Sequence, residues 1–148
     1  MRNLEFRVFS HSTKKFLKVD SKLFKNGNKL FCGLEFFGGD EIRINYYWKD
    51  NDGEIFTYDV KDESEFAINQ FTGLKDSKGN KIFEGDIIKI LIPKRNRIVK
   101  FENGSFCFKD TSRFGDFNQD LSASLIDEYR IEVVGNIYEN PELLGDLK

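Results

Sequence analysis

The dominant hydrophobic pattern of this chain repeats every two residues. Apolar and polar side chains alternate in "LEFRV" (4–8), "IRINYYW" (42–48), "IFTYDV" (55–60) and "IIKILI" (87–92). Such alternation is typical of strands that have one face in a core and the other in water. It predicts a mainly β protein.

Turn and helix signals fill the gaps between these segments. Asn26-Gly27 and Asn103-Gly104 supply the positive φ angles that tight hairpin turns require. Leu121 and Leu125, four residues apart within 120–129, predict a short helix. A second short helical turn is predicted at Asn140-Pro141, where a capping residue precedes a proline. The sequence therefore predicts one or two short helices beside the strands.

The stretch "QFTGLKDSKGNKIFEGDIIKI" (70–90) allows two interpretations. Asp76 and Gly79 occupy the preferred ends of a type I turn, which makes the stretch a folding element. Alternatively, Glu84 and Asp86 could form a carboxylate pair for acid–base chemistry or metal binding. No histidine or third carboxylate at ligand spacing supports that chemistry. We favour a glycine-containing corner whose acidic side chains face solvent.

The same stretch carries a resemblance to a known family. "FTGLKDSKGNKIFEGDIIKI", the later "EVVGNIYENPELL" and the opening "MRNLEFRVFSHSTKKFLKVD" resemble the YopX family, small proteins encoded by phages and prophages. The resemblance implies a mainly β protein whose later part is a small barrel of the SH3-like type. Together with the strand pattern, it leads us to predict an N-terminal β-meander (1–66) packed on a C-terminal SH3-like barrel region (67–148), either as two regions or as one compact domain. It supplies no activity.

Charge and cysteine content limit the setting of the protein. Lys and Arg number 23 against 25 Asp and Glu, so net charge alone indicates neither nucleic acid nor a membrane surface as a partner. No apolar run reaches the roughly 18 residues of a membrane span. Cys32 and Cys107 lie in no paired motif, and Arg2, Glu5 and Arg7 interrupt any apolar run at the start, so we expect no signal peptide. We expect two buried thiols and a location in the cytoplasm of a bacterial host.

Catalytic and metal-binding chemistry find little support in the sequence. His11, the single histidine, lies in a polar turn with no residue nearby to orient it. One histidine and two isolated cysteines cannot build a standard zinc site. There is also no glycine-rich phosphate-binding motif. We predict a protein that is not an enzyme and has no metal or cofactor.

A basic window is the first candidate binding surface. Residues 87–101 contain no acid and hold five basic residues: Lys89, Lys94, Arg95, Arg97 and Lys100. A hairpin with these charges could bind nucleic-acid phosphates. The alternative is a solvated hairpin whose charges only deter edge-to-edge aggregation.

Consecutive aromatic residues form the second candidate surface: Phe36, Phe37, Tyr46, Tyr47 and Trp48. Neighbouring residues of a strand belong to opposite faces, so one face cannot hold them all. Either the fold covers both faces, or some of these residues contact a partner.

From these observations we predict a non-catalytic binding or self-assembling accessory protein of phage or prophage type. Its partner would be a second copy of the chain or a host or phage protein, bound through the aromatic sheet. The alternative is a nucleic-acid-binding protein that uses the basic hairpin.

Overall fold

The alternating segments form antiparallel strands in the computed structural model, which describes residues 5–17, 31–37, 41–49, 55–59, 66–112 and 115–147. Side chains are described for residues 5–16, 66–110 and 115–145. These parts of the chain contain twelve strands, one α-helix and one 3₁₀ helix. The prediction of a mainly β protein is confirmed.

The chain divides into two compact units, Phe6–Ile68 and a unit made of Met1–Glu5 with Asn69–Lys148. The first unit opens with an antiparallel hairpin of β1 (Phe6–Ser10) and β2 (Lys15–Leu17). The division into separate domains at residues 66 and 67 stays a prediction.

Aromatic contacts hold the β1–β2 hairpin together. The rings of Phe9 and Phe16 meet edge to face with their centroids 5.2 Å apart. The Arg7 guanidinium lies 4.6 Å from the Phe16 ring centroid. Lys14 adopts a positive φ of 56° in the turn, and the Thr13 amide donates to the Ser10 hydroxyl (3.3 Å). Local ring packing and a side-chain-capped turn therefore define this hairpin.

A three-stranded meander follows in the first unit, with the strand order β3-β4-β5. Its strands are Phe31–Phe37, Glu41–Lys49 and Ile55–Asp59. The predicted N-terminal meander is thus present in the fold. The hairpin turn predicted at Asn26-Gly27 lies outside the described residues.

The second unit is built on a five-stranded antiparallel sheet with the order β11-β10-β9-β8-β12. A hairpin of β6 (Phe66–Lys75) and β7 (Lys81–Phe83) precedes this sheet. The five strands, from β8 to β12, are Asp86–Leu91, Lys94–Glu102, Ser105–Ser112, Gly115–Asp120 and Glu132–Asn136. Asn103 and Gly104 take φ angles of 52° and 83° between β9 and β10, as predicted for that turn.

One aliphatic and aromatic cluster forms the core of the second unit. Its buried members are Ile82, Ile88, Ile90, Val99, Phe108, Leu121, Ile126 and Ile131. Half of them come from β8, β9 and β10, and Ile88 and Ile90 occupy alternate positions of β8, as the two-residue period of the sequence predicts. The sheet therefore buries one continuous apolar face.

Both predicted short helices are present. α1 (Ala123–Tyr129) begins after Ser122, whose hydroxyl accepts a hydrogen bond from the Leu125 amide (3.2 Å), and ends at the left-handed Arg130. The C-terminal 3₁₀ helix (Pro141–Leu147) begins at the predicted proline. A side-chain cap at Ser122 thus marks the start of α1, and a proline at the first position marks the start of the 3₁₀ helix.

The structure describes the side chain of one of the two cysteines. Cys107 is a buried thiol, as predicted, and burial, aided by the charges of Glu102 and Asp120, raises its pKa. The side chain of Cys32 lies outside the described residues.

Among the helices of the described chain, none is long and apolar enough to cross a membrane. The SH3-like character of the second unit stays a prediction.

Candidate functional site

The stretch 70–90 is organised around the buried carboxylate of Asp76. It accepts hydrogen bonds from the amides of Lys78 (2.9 Å) and Asn80 (2.8 Å), and from the Asn80 side chain (3.0 Å). It also accepts from the amide of Val133 in β12 (2.9 Å). One side chain therefore closes the Asp76–Gly79 turn and attaches it to the sheet.

These hydrogen bonds also set the protonation state of Asp76. Burial by itself raises the pKa of this carboxyl, but the bonds from Val133, Asn80 and Lys78 outweigh burial and bring the pKa below its usual value. The group therefore remains ionised at neutral pH in the role of an acceptor. This is a folding role, as the sequence indicated.

The second acidic group of the stretch corrects one expectation. We expected Glu84 and Asp86 to face solvent at a corner, but Asp86 is 1% exposed. Its carboxylate accepts a hydrogen bond from the Phe83 amide (2.7 Å) and so closes the turn at Gly85, whose φ is 78°. Glu84 is only half-buried. Asp86 thus joins the turn instead of forming an exposed carboxylate pair with Glu84.

The basic window forms the β8–β9 hairpin. Leu91 pairs with Lys94 and Lys89 pairs with Asn96, which leaves Ile92-Pro93 as the two-residue tip. Because residues alternate along a strand, Lys94 and Lys100 belong to one face of β9 and Arg95 and Arg97 to the other. The five basic residues therefore do not form one surface.

Arg95 and Arg97 share a single carboxylate. The Arg97 guanidinium lies 3.0 Å from one oxygen of Asp110 in β10, and the Arg95 guanidinium contacts the other oxygen. Asp110 is 6% exposed. This arrangement neutralises part of the positive charge and holds both arginines against the sheet.

The remaining part of the hairpin helps to form a groove with a volume of about 350 Å³. Its walls come from β8, β9, β12 and the 3₁₀ helix, through Lys89, Lys94, Arg95, Asn96, Val134 and Leu143. We call this site the basic groove. Three of the five predicted nucleic-acid-binding residues line it; Arg97 does not, and neither does Lys100, whose ammonium lies 4.0 Å from Glu102.

The wall opposite the hairpin is built by close contacts of the 3₁₀ helix. The Asn96 side-chain amide donates to the Leu143 carbonyl (3.1 Å) and so ties β9 to this helix. In front of the helix, Asn140 lies so near Gly135 that a Cβ at Gly135 would be 2.5 Å from its Oδ1. The Asn136 amide donates to the same oxygen (3.3 Å). The segment "VGNIYENPEL" (134–143) therefore forms this wall of the groove.

The two lysines of the basic groove have no ion-pair partner among the described residues, whereas Arg95 is paired with Asp110. Lys94 is exposed and Lys89 half-buried, and neither forms an ion pair with any residue of the described chain. Glu132, the strand partner of Lys89, is 2.9 Å from Lys78 instead. The groove therefore presents two ammonium groups beside an apolar wall of Val134 and Leu143. That combination suits an anion with apolar parts.

The predicted aromatic surface is located only by its backbone. Phe36 and Phe37 lie in β3, and Tyr46, Tyr47 and Trp48 lie in β4. By register, positions 46 and 48 belong to one face of the meander and position 47 to the other. Their side chains lie outside the described residues.

The single histidine, His11, contacts an aromatic ring. The His11 ring packs edge to face on Phe9, with centroids 5.5 Å apart. Within the described part of the chain, no group of three or more His, Cys, Asp or Glu residues could hold a metal ion.

Sequence reasoning missed Asn96, Val134 and Leu143 in the groove and Asp110 beneath the hairpin. Asp110 had a usable signal: it follows Phe106 and Phe108 at two-residue spacing, so alternation places it on the core side, where an acid needs cationic partners. Val134 and Leu143 carry no comparable signal, because strand pairing and the 3₁₀ helix bring them to the hairpin.

Comparison with solved structures shows the same fold in two proteins. Protein EF1440 from Enterococcus faecalis is 23% identical, with a TM-score of 0.60 over 96% of this chain and 98% of that one. Protein YopX from Bacillus subtilis is 22% identical, with a TM-score of 0.53 over 94% and 96%. No curated protein matches the sequence. The family model described as YopX protein matches residues 5–145, so the chain belongs to the YopX family.

Proposed function

We propose that this protein is a non-catalytic binding module that binds the phosphate backbone of nucleic acid in the basic groove. The observation that carries the proposal is the convergence of Lys89 and Lys94, which form no ion pair within the described chain, on one groove with Arg95. Each phosphate neutralised by such a group adds affinity that decreases with salt.

The groove's polar groups support binding without a reaction. Lysine, arginine and the Asn96 amide donate hydrogen bonds to an anion but do not form a pair of nucleophile and base. The carboxylates of Asp76 and Asp86, the buried acids of the stretch before the hairpin, are engaged by backbone amides. We therefore assign the groove to recognition.

The test is fluorescence polarisation with labelled oligonucleotides at about 50 and 200 mM salt, a range over which phosphate contacts weaken measurably. We expect saturable binding by the wild type and loss of binding in Lys89→Glu/Lys94→Glu. The matched control is Lys75→Glu/Lys100→Glu, which changes net charge equally at exposed positions outside the groove. Equal affinities of the two double variants would contradict the proposal.

A second candidate function is self-association, or binding of a host or phage protein, through the β3–β5 meander. It is favoured by the register, which places aromatic positions on both faces of a three-stranded sheet. Tyr47→Ser and Trp48→Ser should lower the mass of the assembly in solution without unfolding the chain. Unchanged mass in both variants would contradict this candidate.

The family and these surfaces lead us to propose a biological setting. The protein would act as a phage or prophage accessory protein in the cytoplasm of a bacterial host, with an SH3-like second unit. Expression from its native locus with fractionation of the host cell would test the location.

A further inference from the structure

We propose that the basic groove is selective for single-stranded over duplex nucleic acid. This inference rests on the proposed function of the groove and adds the form of its ligand. It follows from three properties of the groove: the spacing of its lysines, its apolar wall and its concave shape.

The two lysines have a diagonal relation across adjacent strands. Lys89 is opposite Asn96, and Lys94 is two residues before Asn96 on the same face. Diagonal neighbours of this kind are about 7–8 Å apart. Two flexible ammonium groups at that separation can contact neighbouring phosphates of one strand.

The apolar wall of Val134 and Leu143 favours a ligand that itself has apolar faces. Val134 is 37% exposed, and Leu143 is half-buried. In a duplex the base faces are stacked on one another, and only base edges, sugars and phosphates can be reached. An unstacked base of a single strand offers its face to such a wall. Aliphatic residues contact every base in a similar way, so we expect little sequence preference.

Shape favours the same ligand. The 3₁₀ helix is tied to β9 by the Asn96–Leu143 hydrogen bond and forms a second wall beside the hairpin. The volume of about 350 Å³ is near the lower end of the about 300–1,000 Å³ typical of small-ligand sites. A flexible strand can place one nucleotide there, whereas a rigid convex duplex can contact only the rim.

The experiment compares a labelled 12-nucleotide DNA strand, the RNA of the same sequence and the corresponding DNA duplex, by fluorescence polarisation with the full chain. At least one single strand should bind roughly tenfold more tightly than the duplex. With the two lysines in contact, the slope of log affinity against log salt for a single strand should be about −1.4. Lys89→Ala should make this slope shallower by about 0.7.

Two apolar substitutions separate the groove from the hairpin tip. Val134→Ser should weaken single-strand binding by roughly three- to tenfold with an unchanged salt slope, because it removes apolar contact and no charge. The matched control is Ile92→Ser, which removes another exposed apolar residue, 65% exposed, outside the groove. The control should bind like the wild type.

The outcomes distinguish the selectivity for single strands from the binding of nucleic acid on which it rests. Duplex binding equal to or tighter than single-strand binding, while Lys89→Glu/Lys94→Glu still abolishes it, would overturn the selectivity but keep the binding function. A Val134→Ser variant that binds like the wild type would do the same. No binding of any probe at about 50 mM salt, where phosphate contacts are strongest, would overturn both.

Discussion

Two polar segments of the second unit, the stretch from Gln70 to Asp86 and the β8–β9 hairpin, use their charges in opposite ways. In the first, the Asp76 and Asp86 carboxylates accept hydrogen bonds from backbone amides and are buried. In the second, Lys89 and Lys94 form no ion pair with the described residues and line the basic groove. Both segments look equally rich in charge in the sequence.

The difference shows how a folding element can be separated from a candidate site. A charged group saturated by amides stabilises the fold and is unavailable to a ligand, because binding would first break those bonds. A charged group without such partners costs little stability to remove and is available for binding. Substitutions in the two segments should therefore separate stability from binding.

The largest effect is expected at Asp76. Asp76→Ala leaves three backbone amides without their acceptor, so the free energy of unfolding should fall by about 3 kcal/mol. Urea denaturation followed by tryptophan fluorescence and circular dichroism measures this. Asp127→Ala, at an exposed position of α1, is the control and should change stability by less than about 0.5 kcal/mol. Comparable losses in both variants would show that Asp76 has no special role.

A smaller effect is expected at the wall of the basic groove. Gly135→Ala places a Cβ 2.5 Å from Asn140 Oδ1 and 2.9 Å from its Cβ, so Asn140 and the 3₁₀ helix must shift. We expect a loss of about 1–3 kcal/mol in the free energy of unfolding and weaker oligonucleotide binding. Gly145→Ala, where an added Cβ meets open space, is the control for both measurements. Full binding by Gly135→Ala would separate the groove from this helix.

The free energy of unfolding should depend on pH through the ionisation of the Asp76 carboxyl. Its pKa is lower in the folded chain than the usual value of about 3.9, so its contribution is present above about pH 4 and is lost as pH falls towards the folded-state pKa. The stability difference between the wild type and Asp76→Asn should therefore be constant from about pH 8 to 5 and decrease below about pH 4. A difference that grows on acidification would contradict the lowered pKa.

The smallest effect on stability is expected from the groove lysines. Lys89→Ala/Lys94→Ala removes two groups that form no ion pair in the described chain, so the free energy of unfolding should change by less than about 0.5 kcal/mol. Oligonucleotide binding should decrease severalfold in the same variant. A stability loss above about 2 kcal/mol would show that these lysines support the fold, and the comparison between the segments would fail.

Local patterns in the sequence predicted most of the second unit's elements. Alternation identified β8, the Asn103-Gly104 pair identified the β9–β10 turn, and the capping residues identified both helices. These features depend on a few consecutive residues. They could be read without knowledge of the fold.

The candidate site could be predicted only in part, because it depends on residues distant in sequence. The basic window contains four of the six groove residues, but Val134 and Leu143 reach the hairpin through the pairing of β12 with β8 and through the 3₁₀ helix. The window also suggested one positive surface. Strand alternation instead places Arg97 with Asp110, on the face opposite Lys94.

The Asp76 turn also bears on aggregation. β12 is a terminal strand of the five-stranded sheet, and such a strand can recruit another chain through unpaired backbone groups. Here the Val133 amide donates to Asp76, and the Ile131 carbonyl accepts from the Ser77 amide (2.9 Å). The turn therefore caps part of this edge and blocks strand addition there. Loss of the Asp76 carboxylate would expose a pairing surface, so insoluble protein should accumulate even under conditions in which the variant remains folded.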